Sequence, residues 1–143
     1  MAMLLTPRLL RADDAEVPFG TYTLDVVEER PVYRQSKKRP SCGEKVAKPL
    51  AALSSMVARY SSSLLVNDAE WKIKERSWDT KSNGKAAHGV TTKDGVHISL
   101  YFRREGSRDT AWGMLFLFMK GMANQTVCID AYELAGTFEK PKK

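Results

Sequence analysis

Residues 96–120, VHISLYFRREGSRDTAWGMLFLFMK, contain two strand-like runs joined by a short polar turn. In the first run, apolar side chains recur at every second position: Val96, Ile98, Leu100 and Phe102. This period of two is the pattern of a strand with one buried face. The second run, 112–120, is apolar on both faces, which predicts a central buried strand or, alternatively, a short buried helix.

Three further segments show the same alternation as the first run: Phe19–Arg30, Glu70–Trp78 and Thr126–Leu134. The stretch from 79 to 95 is polar and carries the turn dipeptides Asn83-Gly84 and Asp94-Gly95. It predicts either a mobile loop or a partly formed hairpin. Because the connections between the predicted strands are short, the sheet is expected to be mostly antiparallel.

Between the first two predicted strands, apolar residues recur at steps of three and four, which predicts one long amphipathic helix ending near Asn67-Asp68. The residues of this face are Val46, Leu50, Leu53, Val57, Tyr60 and Leu64. The sequence therefore predicts an α+β fold. In that fold, an antiparallel sheet of about five or six strands carries one long amphipathic helix packed on one face.

A chain of 143 residues has room for one domain with one core. We expect an N-terminal arm at 1–18, a single α+β domain at 19–139 and a frayed basic tail at 140–143. The apolar run from 112 to 119 suits either a core strand or a dimer interface, so a homo-oligomer remains an alternative to a monomer.

The two cysteines, Cys42 and Cys128, form neither a disulfide framework nor a zinc site by number or spacing. Because the N-terminus lacks the pattern of a secretory signal, we expect reduced thiols and a cytoplasmic location. No run approaches the ~20 apolar residues of a membrane span, so no membrane partner is expected.

The net charge of +6 is unevenly distributed along the chain. Residues 1–29 hold two basic and six acidic side chains, a balance of −4, which leaves +10 on the remainder. A surface of that sign attracts polyanions such as nucleic acid. A solvated surface without a partner is the alternative interpretation of the same charge.

The predicted strand Glu70–Trp78 concentrates cations and an indole on one face: Lys72, Lys74, Arg76 and Trp78. Tyr101 and Arg103, with His97, could extend this surface from a neighbouring strand, and a basic loop carries Lys37, Lys38 and Arg39. Cations that pair with phosphates beside a ring that stacks on a base are typical of single-strand recognition. We therefore predict a non-catalytic nucleic-acid-binding protein that takes single-stranded DNA or RNA. The wet face of an ordinary antiparallel sheet has the same composition.

Motifs for catalysis, cofactors or metals give no support for an enzyme. The chain has no phosphate-binding glycine loop, and its two histidines, His88 and His97, lack partners at ligand spacing. We therefore assign no catalytic residue, no cofactor and no metal ligand.

Two alternatives to nucleic-acid binding remain. One is a protein-interaction module (an inhibitor, adaptor or assembly subunit) that docks through the N-terminal arm and its apolar Met3-Leu4-Leu5 tip. The other is a small hydrolase or nuclease that uses His97.

Overall fold

The computed structural model describes residues 17–28, 41–74 and 86–142. Within them, eight antiparallel strands follow one another around a closed barrel, and the last strand pairs with the first. The strands are β1 (Gly20–Val26), β2 (Ser55–Tyr60), β3 (Leu64–Val66), β4 (Ala69–Lys74), β5 (Ala86–Thr91), β6 (Val96–Arg104), β7 (Thr110–Lys120) and β8 (Thr126–Glu139). A 3₁₀ turn (Gly43–Val46) leads into the short helix α1 (Ala47–Leu53).

The predicted α+β fold with a long amphipathic helix is wrong, because the structure is a closed barrel with one short helical segment. The helix ends at Leu53, and the chain continues as β2 and β3. In β2, Met56 and Ala58 are buried, whereas Val57, which the helical spacing placed on the apolar face, is only half-buried. The pairing of β2 with β1 outweighs the local helical spacing, because an unpaired β1 would leave a row of backbone groups without partners.

Alternation along the strands divides the side chains between the interior and the outer wall of the barrel. On β6 the four residues expected from the sequence are buried and join a single hydrophobic cluster, and Tyr101 on the other face is buried as well. β7 likewise sends Leu115 and Leu117 into this cluster, as a strand rather than the alternative helix. In the interior, Tyr22 packs edge-on against Phe102 and at a tilt against Phe138. The barrel is therefore filled by its own side chains at this level, as eight-stranded barrels permit.

Residues 41–54, which we call the plug, lie across one end of the barrel. Val46 and Leu53 are buried there and belong to the barrel's hydrophobic cluster. The plug ends against β1, where the Val26 N–H donates to the Ser54 carbonyl over 2.9 Å. The only helix in the described part of the chain therefore closes the barrel mouth instead of covering a sheet face.

A disulfide joins Cys42 of the plug to Cys128 of β8, with Cα atoms 5.0 Å apart. The prediction of two reduced thiols is therefore wrong. The two cysteines are 86 residues apart in sequence, and only the closure of the barrel brings the plug back to the beginning of β8.

Four of the five predicted strand segments contain a strand within or near their predicted bounds (β1, β4, β6 and β7), and the fifth, β8, runs five residues beyond its predicted end at 134. The polar stretch from 79 to 95 contains β5, so the hairpin alternative holds there from residue 86 onward. The predicted arm, 1–18, lies outside the described residues except for its last two positions. Among the helices of the described ranges, none is both long and apolar enough to cross a membrane.

Candidate nucleic-acid interface

The register of β4 to β7 aligns outward positions into rows across the barrel wall. Lys72 pairs with Gly89, Gly89 with Ser99, and Ser99 with Phe116. Inward residues flank these positions: Trp71 and Ile98, for example, are buried in the core. Because strand side chains alternate, the row from Lys72 to Phe116 lies on the outer face.

This outer face is indented by a groove with a volume of about 500 Å³, which crosses all four strands. Outward-facing residues that line it are Lys72, Gly89, Thr91, Ser99, Phe118 and Lys120. Gly89 lies between its register partners Lys72 and Ser99 and has no side chain to fill the space. The two lysines come from opposite sides of the groove, β4 and β7, and both are exposed. Phe116, the next position beyond Ser99, is buried and lies outside the groove lining.

A stacked pair of rings forms part of the groove lining. The His97 and Phe118 rings lie 5.2 Å apart between centroids with planes only 17° apart. His97 Nδ1 is 3.0 Å from the Thr91 hydroxyl oxygen, a hydrogen bond that orients the imidazole. Both rings are half-buried, so each keeps some surface toward solvent. The groove thus combines a stacked pair of rings with hydroxyl groups and two flexible cations.

One acidic side chain, the exposed Glu70, also lines the groove. It lies on β4, two residues from Lys72 and on the same face. Its carboxylate opposes the binding of an anion at that end.

The structure places some of the sequence-predicted site residues on this wall. Lys72 lies in the groove itself, and Lys74 stands at the register position opposite Ala87, which in turn is opposite Tyr101. Tyr101 is only 1% exposed, so its ring is not offered to solvent in this conformation. The remaining predicted residues lie outside the described residues: Lys37, Lys38, Arg39, Arg76 and Trp78.

Arg103 lies on the outer wall but belongs to a separate cluster. Its guanidinium carbon is 4.9 Å from the centroid of the Trp112 ring, a cation–π contact. The Trp112 indole N–H donates to a Glu133 carboxylate oxygen over 2.9 Å, and Tyr101 meets the same indole edge-on. Arg103 is four residues from Ser99 along β6, which is roughly 13 Å at the rise of a strand. Lys72 and Arg103 therefore lie on the same outer wall but belong to different sites.

Three residues of the groove were not predicted from the sequence: Lys120, Phe118 and Gly89. Lys120 and Phe118 alternate with inward Leu117 and Met119 on β7, a signal that was hidden by the apolar character of the whole run. Gly89 carried no signal, because the absence of a side chain matters only once its cross-strand neighbours are known.

A scan against protein-family models and searches of curated proteins and solved structures found no match to this chain.

Proposed function

We propose that this chain is a non-catalytic protein that binds single-stranded nucleic acid, DNA or RNA, in the groove across β4 to β7. The observation that carries the proposal is the position of two exposed lysines, Lys72 and Lys120, on either side of a lining that includes stacked rings. Lysines contribute phosphate contacts, and an aromatic face contributes base stacking that is worth about 1–3 kcal/mol per base.

The size of the groove favours an unpaired strand over a duplex. Its volume of about 500 Å³ is in the range of sites that enclose a small molecule. Stacking on Phe118 requires that the face of a base be accessible, and bases inside a duplex cover each other's faces. The proposal covers both DNA and RNA, because phosphate contacts and base stacking are available to either strand.

The cytoplasmic location remains part of the proposal, but it must be reconciled with the disulfide. Disulfides of cytosolic proteins are usually transient, catalytic or redox-sensing. A cytoplasmic chain would therefore hold Cys42 and Cys128 as a reversible pair. Rapid alkylation of thiols in lysed cells, followed by mass spectrometry, would report the fraction of each state.

The direct test is the affinity of charge variants for a labelled oligothymidylate about 12 nucleotides long, measured by fluorescence anisotropy. We expect Lys72→Glu with Lys120→Glu to weaken binding at least about tenfold, because two phosphate contacts become repulsions. The matched control is Lys45→Glu with Lys48→Glu, which changes net charge equally at two exposed plug lysines. Glu70→Gln should tighten binding, since it removes the carboxylate from the groove.

Salt dependence separates phosphate contacts from a general charge effect. For single strands, each phosphate contact contributes about −0.7 to the slope of log affinity against log salt. Replacing both groove lysines by glutamine should therefore make the slope shallower by about 1.4. Equal losses in the groove variant and the plug control would contradict the proposed site, and no binding at low salt would contradict the function.

A further inference from the structure

The plug is attached to the barrel by a small number of contacts, one of which is covalent. The Cys42–Cys128 disulfide joins its first turn to β8, and the Cys42 N–H donates to Asp130 Oδ2 over 3.0 Å. At its other end, the plug continues directly into β2 through Ser54. Without the disulfide, the plug would remain part of the chain at both of its ends, but no covalent bond would hold Cys42 to β8, so the plug could move away from the barrel mouth.

The barrel interior beneath the plug contains a buried carboxylate. Asp130 is 1% exposed, and within the described residues its Oδ1 has no hydrogen-bond partner. Burial, and then the charge of Asp130, raise the pKa of the nearby Tyr132, so the carboxylate acts on its surroundings inside the barrel. A buried oxygen without a donor is destabilising, and exposure to water would relieve that cost. Oδ1 of Asp130 thus opposes the closed position of the plug, whereas Oδ2 favours it by accepting from the Cys42 N–H.

We propose that the Cys42–Cys128 disulfide is a redox-controlled clasp, and that its reduction releases the plug and opens this end of the barrel. In the oxidised chain the covalent bond keeps the plug over Asp130. Among the described residues of the reduced chain, the burial of Val46 and Leu53, the Cys42–Asp130 hydrogen bond and weaker polar contacts oppose opening. Hydration of the freed carboxylate favours the open state.

The redox step needs a dithiol as the reductant. One thiolate of the dithiol attacks a sulfur of the disulfide, forming a mixed disulfide and releasing one protein thiolate; the second thiolate of the dithiol then attacks its own sulfur in the mixed disulfide and releases the other protein thiolate. The Sγ–Sγ bond is thereby replaced by two thiols, which take up two electrons and two protons, and the dithiol becomes its own cyclic disulfide. Cys42 and Cys128 are each 7% exposed, so the exchange proceeds from a largely covered position.

Hydrogen exchange of backbone amides tests the clasp in the intact chain. Oxidised protein is compared with protein reduced by dithiothreitol, with full reduction verified by alkylation and mass. On reduction, we expect the protection of plug amides against exchange to fall at least about thirtyfold. The exchange rate through this opening should not change at low concentrations of denaturant. After reduction, the exchange rates of amides in the β6–β7 pair should still depend on denaturant concentration. The double variant Cys42→Ala/Cys128→Ala should reproduce the reduced pattern without a reductant.

Two variants separate the role of the carboxylate from a general loss of stability. Asp130→Asn retains a carbonyl oxygen for the Cys42 N–H but removes the charge, so its reduced form should open less than reduced wild type. Glu133→Gln removes a charge from the outer face of the same strand and should not change the opening. Unchanged plug protection on reduction would overturn the proposal, as would an equal, denaturant-dependent loss in the plug and in β6–β7.

Discussion

At the scale of single residues, the groove depends on a position without a side chain. Gly89 faces outward between Lys72 and Ser99, and the groove lies over it. Its effect on binding can be separated from the charges that surround it, because replacing a glycine changes the shape of the groove and leaves its lysines in place.

We expect Gly89→Val to weaken oligonucleotide binding at least about tenfold while leaving the fold intact, because a branched side chain fills the groove and also favours the strand conformation. Anisotropy measures the affinity, and urea denaturation of the same sample measures stability. Unchanged affinity in a folded Gly89→Val protein would show that the ligand lies elsewhere.

A second prediction at this scale concerns alkaline pH. Burial raises the pKa of Tyr22 above that of an ordinary tyrosine; the neighbouring Tyr60 adds to the increase, and Arg104 partly offsets it. The folded state therefore holds this proton more tightly than the unfolded state. The resulting stability is fully present below the unfolded pKa near ~10 and is lost as pH rises toward the folded value.

Tyr22→Phe should make the protein lose less stability as pH rises above ~10. At neutral pH the variant should be about 1 kcal/mol less stable, because the Tyr22 hydroxyl donates to the Pro18 carbonyl over 2.6 Å. Melting temperatures measured across this range check both effects. Parallel curves for wild type and variant would contradict the role of Tyr22.

At the scale of elements, the barrel closes where β8 returns to β1. Gly136 of β8 pairs with Leu24, and a Cβ added at Gly136 would overlap the carbonyl oxygen of Thr23. The two strands therefore approach more closely than a side chain at this position permits.

Gly136→Ala should destabilise the protein by about 1–3 kcal/mol, the usual cost of an overpacked site. The matched control is Thr137→Ala at the next, exposed position, which should change stability by less than about 0.5 kcal/mol. Urea denaturation measures both variants. Equal stabilities would mean that β1 and β8 can separate without cost at this point.

The elements also show what a single sequence can predict. β1, β4, β6 and β8 were identifiable because alternation is a local signal, readable from the residues of one strand, and β7 was identifiable from its continuous apolar run. The long helix was wrong because the helical spacing continues by coincidence from α1 into β2, where pairing with β1 decides the structure. β5 was missed as a definite strand because its Ala-Ala-His-Gly sequence has little apolar alternation.

At the scale of the whole molecule, the site could be predicted only in part. Lys72 was found because its strand alternates cations with core residues, a pattern that lies within six residues of chain. The contribution of Lys120 depends on β7 lying two strands away from β5 around the barrel, which no local pattern encodes. The disulfide, too, is not encoded by a local pattern, since it joins the plug to the beginning of the last strand.

The most direct measurement of the proposed interface is a titration of ¹⁵N-labelled protein with unlabelled oligothymidylate, followed by the chemical shifts of backbone amides. We predict that the largest changes lie around the groove, at Lys72, Gly89, His97 and Lys120, with smaller changes at Arg103 and Trp112. Saturating shifts confined to the Arg103–Trp112 cluster, or no shifts at low salt, would contradict the account.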